Sequence, residues 1–241
     1  MRTVAVYSPK GGVGKTTLAV NLAWCAATLS ARRTLLWDLD AQGAATYLLG
    51  GDRPQAAQAR AVFTRDAAPD RLIRPTGVAR LDLLAADASL RGLDGLFAAL
   101  GKKRRLERLL EALAARYDCV VLDCPPGLTE VAEQVVRAAD AIVVPVIPSP
   151  LSRRAFEDLA AHLAAAGKRR PAMLPVFAMA DRRRAVHLHA LAADPGWPVI
   201  PMASVVEQVA TRRRPLGAFA PASPAARAVA GLWTAIERRL G

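Results

Sequence analysis

The chain reads as an α/β protein, a doubly wound, mostly parallel sheet with helices on both faces. Three observations lead there. An apolar run at residues 3–7 is followed at once by a glycine-rich loop and then by a helical pattern from Leu18 to Leu29. Strand-like runs near 34–38, 81–85, 119–123, 141–147, 172–178 and 198–200 alternate with helical stretches, the order that builds a parallel sheet covered on both sides. With 241 residues and 53% hydrophobic composition, the chain can bury a substantial core as a single domain, 1–241.

The loop after the first strand, residues 10–17, is Lys-Gly-Gly-Val-Gly-Lys-Thr-Thr. A phosphate chain is wrapped only where the backbone comes close with its N–H groups pointing inward. Gly11, Gly12 and Gly14, with Val13 between them, permit that approach. Lys15 is expected to reach the β- and γ-phosphates and Thr16 to ligate Mg²⁺ through its hydroxyl. Thr17 continues into the helix whose N-terminus faces the anion. The strict pattern G-x-x-x-x-G-K-[ST] is not met, because Pro9 stands five before Gly14; a second lysine, Lys10, follows it.

The second strand, within Thr-Leu-Leu-Trp-Asp-Leu-Asp-Ala-Gln-Gly at 34–43, ends in two carboxylates. Alternate strand residues share a side, so Asp38 and Asp40 are both expected at the carboxyl end, towards the nucleotide. Residues 118–127, Asp-Cys-Val-Val-Leu-Asp-Cys-Pro-Pro-Gly, give a buried strand running into Asp123. A carboxylate buried there is costly unless it meets a cation, and Mg²⁺ held through water would supply one.

These segments together resemble the deviant Walker A family, the ParA/MinD group of P-loop ATPases, and are most similar to ParA. The family's loop is K-G-G-x-G-K-[ST], its switch I D-x-D-x-Q-G and its switch II D-x-P-P. The resemblance implies ATP and Mg²⁺ as ligands and an ATP-dependent homodimer in which Lys10 reaches the phosphates bound by the other subunit. It also implies that Asp40 positions the attacking water, that Asp38 supports the Mg²⁺ shell and that Asp123 is the Walker B aspartate. The run Ala141–Leu151 resembles the strand and proline-stiffened loop after switch II.

Towards the C-terminus, Phe177-Ala-Met-Ala-Asp-Arg182 is similar to the family's T-M-Y-D-x-R segment beside the adenine. Asp181 fits it, with Arg182 next in the chain, whereas Ala180 offers no side-chain hydrogen bond. Base recognition is therefore expected from Asp181 and from backbone groups in this segment or around Pro201–Val205, where Ile200-Pro201 and Pro215-Leu216 resemble family landmarks.

Charge points to a polyanionic partner. Lys+Arg 33 against Asp+Glu 21 gives a net charge of +12 and a pI near 10.7. The lysines are Lys10, Lys15, Lys102, Lys103 and Lys168 alone, so the basic surface is built of arginine, whose forks suit phosphate oxygens. Few aromatics are available to stack on bases, so the expected partner is duplex DNA, gripped non-specifically through its backbone. Arg212, Arg213 and Arg214 are the first candidates, in a region where ParA relatives gather basic residues, with Lys168, Arg169 and Arg170 beside them. Lys102–Arg105 reads equally well as the solvated start of an amphipathic helix, and Arg182–Arg184 could face the nucleotide or a dimer partner.

The last helical pattern has a stripe of Val229, Leu232, Trp233, Ile236 and Leu240 with Arg238 and Arg239 beside it. Packing on the domain is the favoured reading; a membrane-seeking helix of MinD type is the alternative. Cys25, Cys119 and Cys124, an odd set on a helix and a buried strand, fit a reducing cytosol without disulfides. No metal-ligand pattern joins them to His162, His187 and His189. The amino terminus enters a strand directly, without a signal segment, so a cytoplasmic, nucleoid-associated location is expected. The leading function is a ParA-type switch, activated by a ParB-like partner or cargo adaptor. A MinD-type positioning ATPase and an enzyme or electron donor on the same fold are the other classes. The latter lacks suitable cluster cysteines.

Overall fold

The computed structural model describes residues 1–50, 59–64, 69–100, 104–165 and 171–241. The chain begins with strand β1 (Arg2–Val6), and helix α1 (Lys15–Thr28) follows the glycine-rich loop. Next come β2 (Thr34–Asp38), α2 (Ala44–Gly50), the single turn α3 (Ala61–Thr64), β3 (Ile73–Pro75) and β4 (Leu81–Leu84). Helices α4 (Leu93–Leu100) and α5 (Arg105–Leu113) lead to β5 (Cys119–Asp123), α6 (Glu130–Ala138), β6 (Ala141–Val146) and α7 (Pro150–Ala165). The remainder is β7 (Ala172–Ala180), α8 (Ala185–Ala193), β8 (Val199–Pro201), α9 (Ser204–Arg212), α10 (Leu216–Phe219) and α11 (Pro224–Leu240).

The strands form one sheet in the order β3-β4-β2-β5-β1-β6-β7-β8. Every pairing is parallel except β3 with β4. β2, β5 and β6 are buried along their whole length, and the β-branched or long apolar residues that fill them suit strands covered on both faces. The sequence pattern overlooks β3. It is a three-residue edge strand whose Arg74 and Pro75 are exposed, so it carries no apolar alternation, and its proline is tolerated because an edge leaves an N–H unused.

One apolar core lies between the sheet and α4–α7, with Leu106, Leu110, Val135, Leu159 and Phe97 among its residues. The other lies under α1, α2 and α9–α11, with Leu22, Ala23, Leu36, Leu216 and Ile236. The last helix, α11, starts on Ser223, whose hydroxyl accepts from Ala226 N, and Pro224 occupies its first turn. Its stripe faces inward, for Val229, Leu232, Trp233 and Ile236 are all buried. Trp233 Nε1 donates to Ser30 Oγ, Ser30 donates to Glu237, and Arg32 pairs with Glu237 at 2.9 Å. The apolar face that a membrane-seeking helix would need is thus covered by α1 and the sheet. Among the described residues no helix is long and apolar enough to cross a membrane.

Candidate nucleotide site

The sheet topology sets the position of the site. β1 lies between β5 and β6 near the middle of the sheet, and the loop that leaves its carboxyl end runs directly into α1. In open α/β sheets ligands occupy this crevice at the strand ends. Gly12 and Gly14 have φ of 70° and 85°, a left-handed backbone that side-chain-bearing residues resist. Gly14 is the N-cap of α1, with no side-chain cap, and no acidic residue lies in the helix's first turn. The helix dipole and its N–H groups are therefore left to an incoming anion.

Lys15 is buried, and its ammonium donates to Lys10 O at 3.0 Å. Burial lowers its pKa, while the carboxylates of Asp123 and Asp40 pull it back up. Lys10 directs its own ammonium to the buried Ser152 Oγ, 2.9 Å away near the start of α7.

The three carboxylates differ sharply in surroundings. Asp38 and Asp123 are register partners at the ends of neighbouring strands and neither is exposed. Asp38 is well satisfied. Its Oδ2 accepts from Thr46 N at 2.9 Å and Thr46 Oγ1 at 2.8 Å, and its Oδ1 accepts from Asp40 N at 3.1 Å. Burial nevertheless pushes it up to about 6. Asp123 has no hydrogen-bond partner on either oxygen. Burial, and then the charge of Asp38, drive it well above the usual carboxylate range, against the pull of the Thr16 hydroxyl, near it but outside hydrogen-bond geometry, and of Lys15. Asp40, half-buried, closes a tight turn in which its Oδ1 accepts from Gln42 N and its carbonyl from Gly43 N. A bare buried carboxylate beside Thr16 and Lys15 fits a cation carried in with a phosphate chain. No cluster of three or more His, Cys, Asp or Glu suited to holding a metal occurs among the described residues. The oxygens of a bound nucleotide would have to complete the shell.

A cavity of about 120 Å³ adjoins the loop, walled by Val13, Gly14 and Thr17 at one end and by Met179, Pro201 and Met202 at another. Its lining is apolar, as a purine face requires. Pro201 thus lines the cavity beside the loop. Asp181 is not part of this wall: both its oxygens are held at 2.9 Å by the Arg183 guanidinium, which keeps its pKa down near 2. Among the lining residues, Asn21 is not singled out by the sequence reading, whereas Met179, Met202 and Leu216 fall within segments that are, without a role of their own. Asn21 had a signal, as a polar residue within the apolar run Leu18–Ala23. Met179 lies within the Phe177–Arg182 segment, where a bulge in β7 and a φ of 55° aim its side chain over Gly14.

The arginine turn follows α9. Arg213 caps that helix in the left-handed region at φ 52°, donates from Nε to Tyr47 O at 2.9 Å, and stacks its guanidinium 4.6 Å above the Tyr47 ring. Arg212 lies over Phe219, and Arg214 donates to Ala218 O. Lys168, Arg169 and Arg170 lie outside the described residues, as do Lys102 and Lys103. Arg105 is buried and donates to the carbonyls of Val62 and Phe63, so it serves the fold, while the exposed Arg104 pairs with Glu107.

A central strand, a glycine loop capping a helix, and two acidic strand ends define a P-loop nucleotide-binding protein. Residues 1–174 match the family model described as AAA domain. Soj of Bacillus subtilis (strain 168), the sporulation initiation inhibitor protein, is 37% identical over 147 residues, 60% of this chain and 58% of that protein. A ParA family protein of Chlamydia pneumoniae is 32% identical over 174 residues, 71% of this chain and 68% of its own length. The septum site-determining protein MinD of Pyrococcus horikoshii OT3, complexed with Mg-ADP, superposes with a TM-score of 0.81 at 23% identity, covering 100% of this chain and 97% of that one. The chain belongs to the ParA/MinD-type P-loop ATPases. It matches just over half the length of Soj.

Proposed function

We propose that this chain is an ATP-dependent switch that closes into a homodimer on ATP and Mg²⁺, grips DNA without sequence preference in that state, and releases it after hydrolysis. It would thereby partition or position a plasmid, a chromosome region or a protein cargo. The observation that carries the reading is Asp123, a fully buried carboxylate with both oxygens bare beside the phosphate loop. Thr16 and Asp123 would hold Mg²⁺, with Asp38 behind them, and the ion would offset the charge of the phosphates. Lys15 neutralises charge developing on the transferred phosphoryl group, and Asp40 orients the attacking water. Lys10, tethered to Ser152 rather than inserted into its own loop, is poised to be handed to a second subunit. The net charge of +12 and the Arg212–Arg214 turn, with Arg212 and Arg214 exposed and Arg213 half-buried, support DNA as what the dimer holds. Joining two such turns in one dimer raises affinity by multivalency alone. A ParB-like partner or cargo adaptor would end the ATP state.

Two substitutions test this. Lys15→Ala abolishes nucleotide binding or dimerisation. Asp40→Ala retains ATP and yields a persistent dimer on DNA, followed by size-exclusion chromatography and filter binding. Hydrolysis by Asp40→Ala at the wild-type rate would remove Asp40 from the chemistry.

A further inference from the structure

The arginine turn is tied to the nucleotide site by two separate routes. The first runs through switch I. Asp38 holds Thr46 by its backbone N–H and its hydroxyl, and the next residue of α2, Tyr47, holds Arg213 by its carbonyl and its ring. The second runs through α1. Asn21, 2% exposed, donates from Nδ2 to Thr17 O at 2.7 Å and accepts from Leu216 N at 2.7 Å. Gly217 sits directly against Trp24 of the same helix, its missing Cβ position only 2.0 Å from the indole.

The cavity beside the loop lies along the second route. Its walls include Thr17 and Asn21, Val206 and Glu207 of α9, and Leu216. α9 ends at Arg212 and Leu216 follows Pro215, so the cavity is bounded on both sides of the Arg212–Arg214 turn. Arg213 itself occupies a left-handed backbone conformation that an L-residue adopts at a cost. Such a conformation persists where surrounding contacts fix it, and here those contacts come from Tyr47.

We propose that Tyr47 is a positioning residue for the arginine turn: it transmits the state of the switch I loop to Arg213, while Asn21 links the same turn to the base cavity. This deepens the DNA-binding reading and rests on it for the identity of the ligand. With nucleotide in the cavity and Asp38–Thr46 locked, Tyr47 holds Arg213 facing outward. When α2 shifts, the guanidinium loses both its acceptor and its ring and the turn relaxes.

The test uses the full chain as wild type, Tyr47→Ala and Tyr47→Phe, with and without Mg²⁺ and a slowly hydrolysed ATP analogue. Three quantities are read: analogue affinity, amide hydrogen exchange over residues 212–217, and affinity for random-sequence duplex DNA. Expected for the wild type are slower exchange and tighter DNA binding on adding the analogue. Tyr47→Ala binds the analogue as the wild type does but loses the slowed exchange, and its nucleotide-dependent gain in DNA affinity falls about fivefold or more. Tyr47→Phe, which keeps the ring that Ala removes, restores both; the main-chain carbonyl is present in all three chains. Exchange over 212–217 that ignores the analogue in the wild type overturns the inference, as does a Tyr47→Ala chain with its full nucleotide response. If the wild type binds no DNA while the exchange response appears and depends on Tyr47, the coupling stands and the DNA reading falls.

Discussion

Replacing Asp123 by Asn should make the nucleotide-free protein more stable at neutral pH, although it removes a residue assigned to the site. Asp123 is fully buried, its oxygens have no partner, and its pKa is raised by burial and then by Asp38. A carboxylate whose pKa is higher folded than unfolded leaves the native state holding more protons, so stability falls as pH rises from about 4 towards the folded pKa. One proton corresponds to about 1.4 kcal/mol per pH unit across that window. Asn carries no charge at any pH, so its advantage over wild type should open at up to about that slope. Part is offset by the cost of a buried amide, about 1–3 kcal/mol, which does not vary with pH. Asp38, with a folded pKa of about 6, titrates in both proteins and largely cancels. Urea unfolding of both chains at pH 4.5, 6 and 7.5 measures the gap. Adding Mg²⁺ and ADP should then stabilise the wild type alone, by mass action on the native state. A gap that is flat with pH would refute the reasoning, because it would mean that Asp123 is not ionising against its surroundings.

The remaining expectations concern the surface and the packing around the site. Arg213→Glu should leave nucleotide affinity intact while weakening duplex binding, and the slope of log affinity against log salt should drop by about one for the lost phosphate contact, or more with the reversed charge. Gly217→Ala drives a methyl into the Trp24 ring, so urea unfolding should report a loss towards the top of the about 1–3 kcal/mol that overpacking costs, with Trp24 displaced. Ile236→Ala, at a fully buried position of α11, should cost about 2–5 kcal/mol in the same assay. A membrane-seeking helix would lose vesicle binding instead, with little change in stability.

The parts of the site that the sequence disclosed are those whose chemistry is carried by residue type in a local run. Lys10–Thr17, Asp38–Asp40 and Asp123 each follow an apolar strand, and a parallel sheet brings strand ends together whatever their separation along the chain. The base cavity was less legible because its walls come from α1, β7, β8, α9 and α10 and are mostly apolar, so no local motif marks them. The fate of Asp181 turned on a neighbour two residues away, for Arg183 claims both oxygens and a D-x-R pattern cannot say whether its charges meet a ligand or each other. The same ambiguity divides the arginine clusters. Arg105 is buried against carbonyls of the core side, whereas Arg213, half-buried, stays at the surface against a tyrosine 166 residues earlier in the chain. Composition counts both as positive surface, but only the second can meet a phosphate. In a chain of +12, then, the charges that matter for a polyanion are set by which guanidiniums the fold leaves exposed, and Tyr47 is the residue through which the nucleotide site can alter that choice.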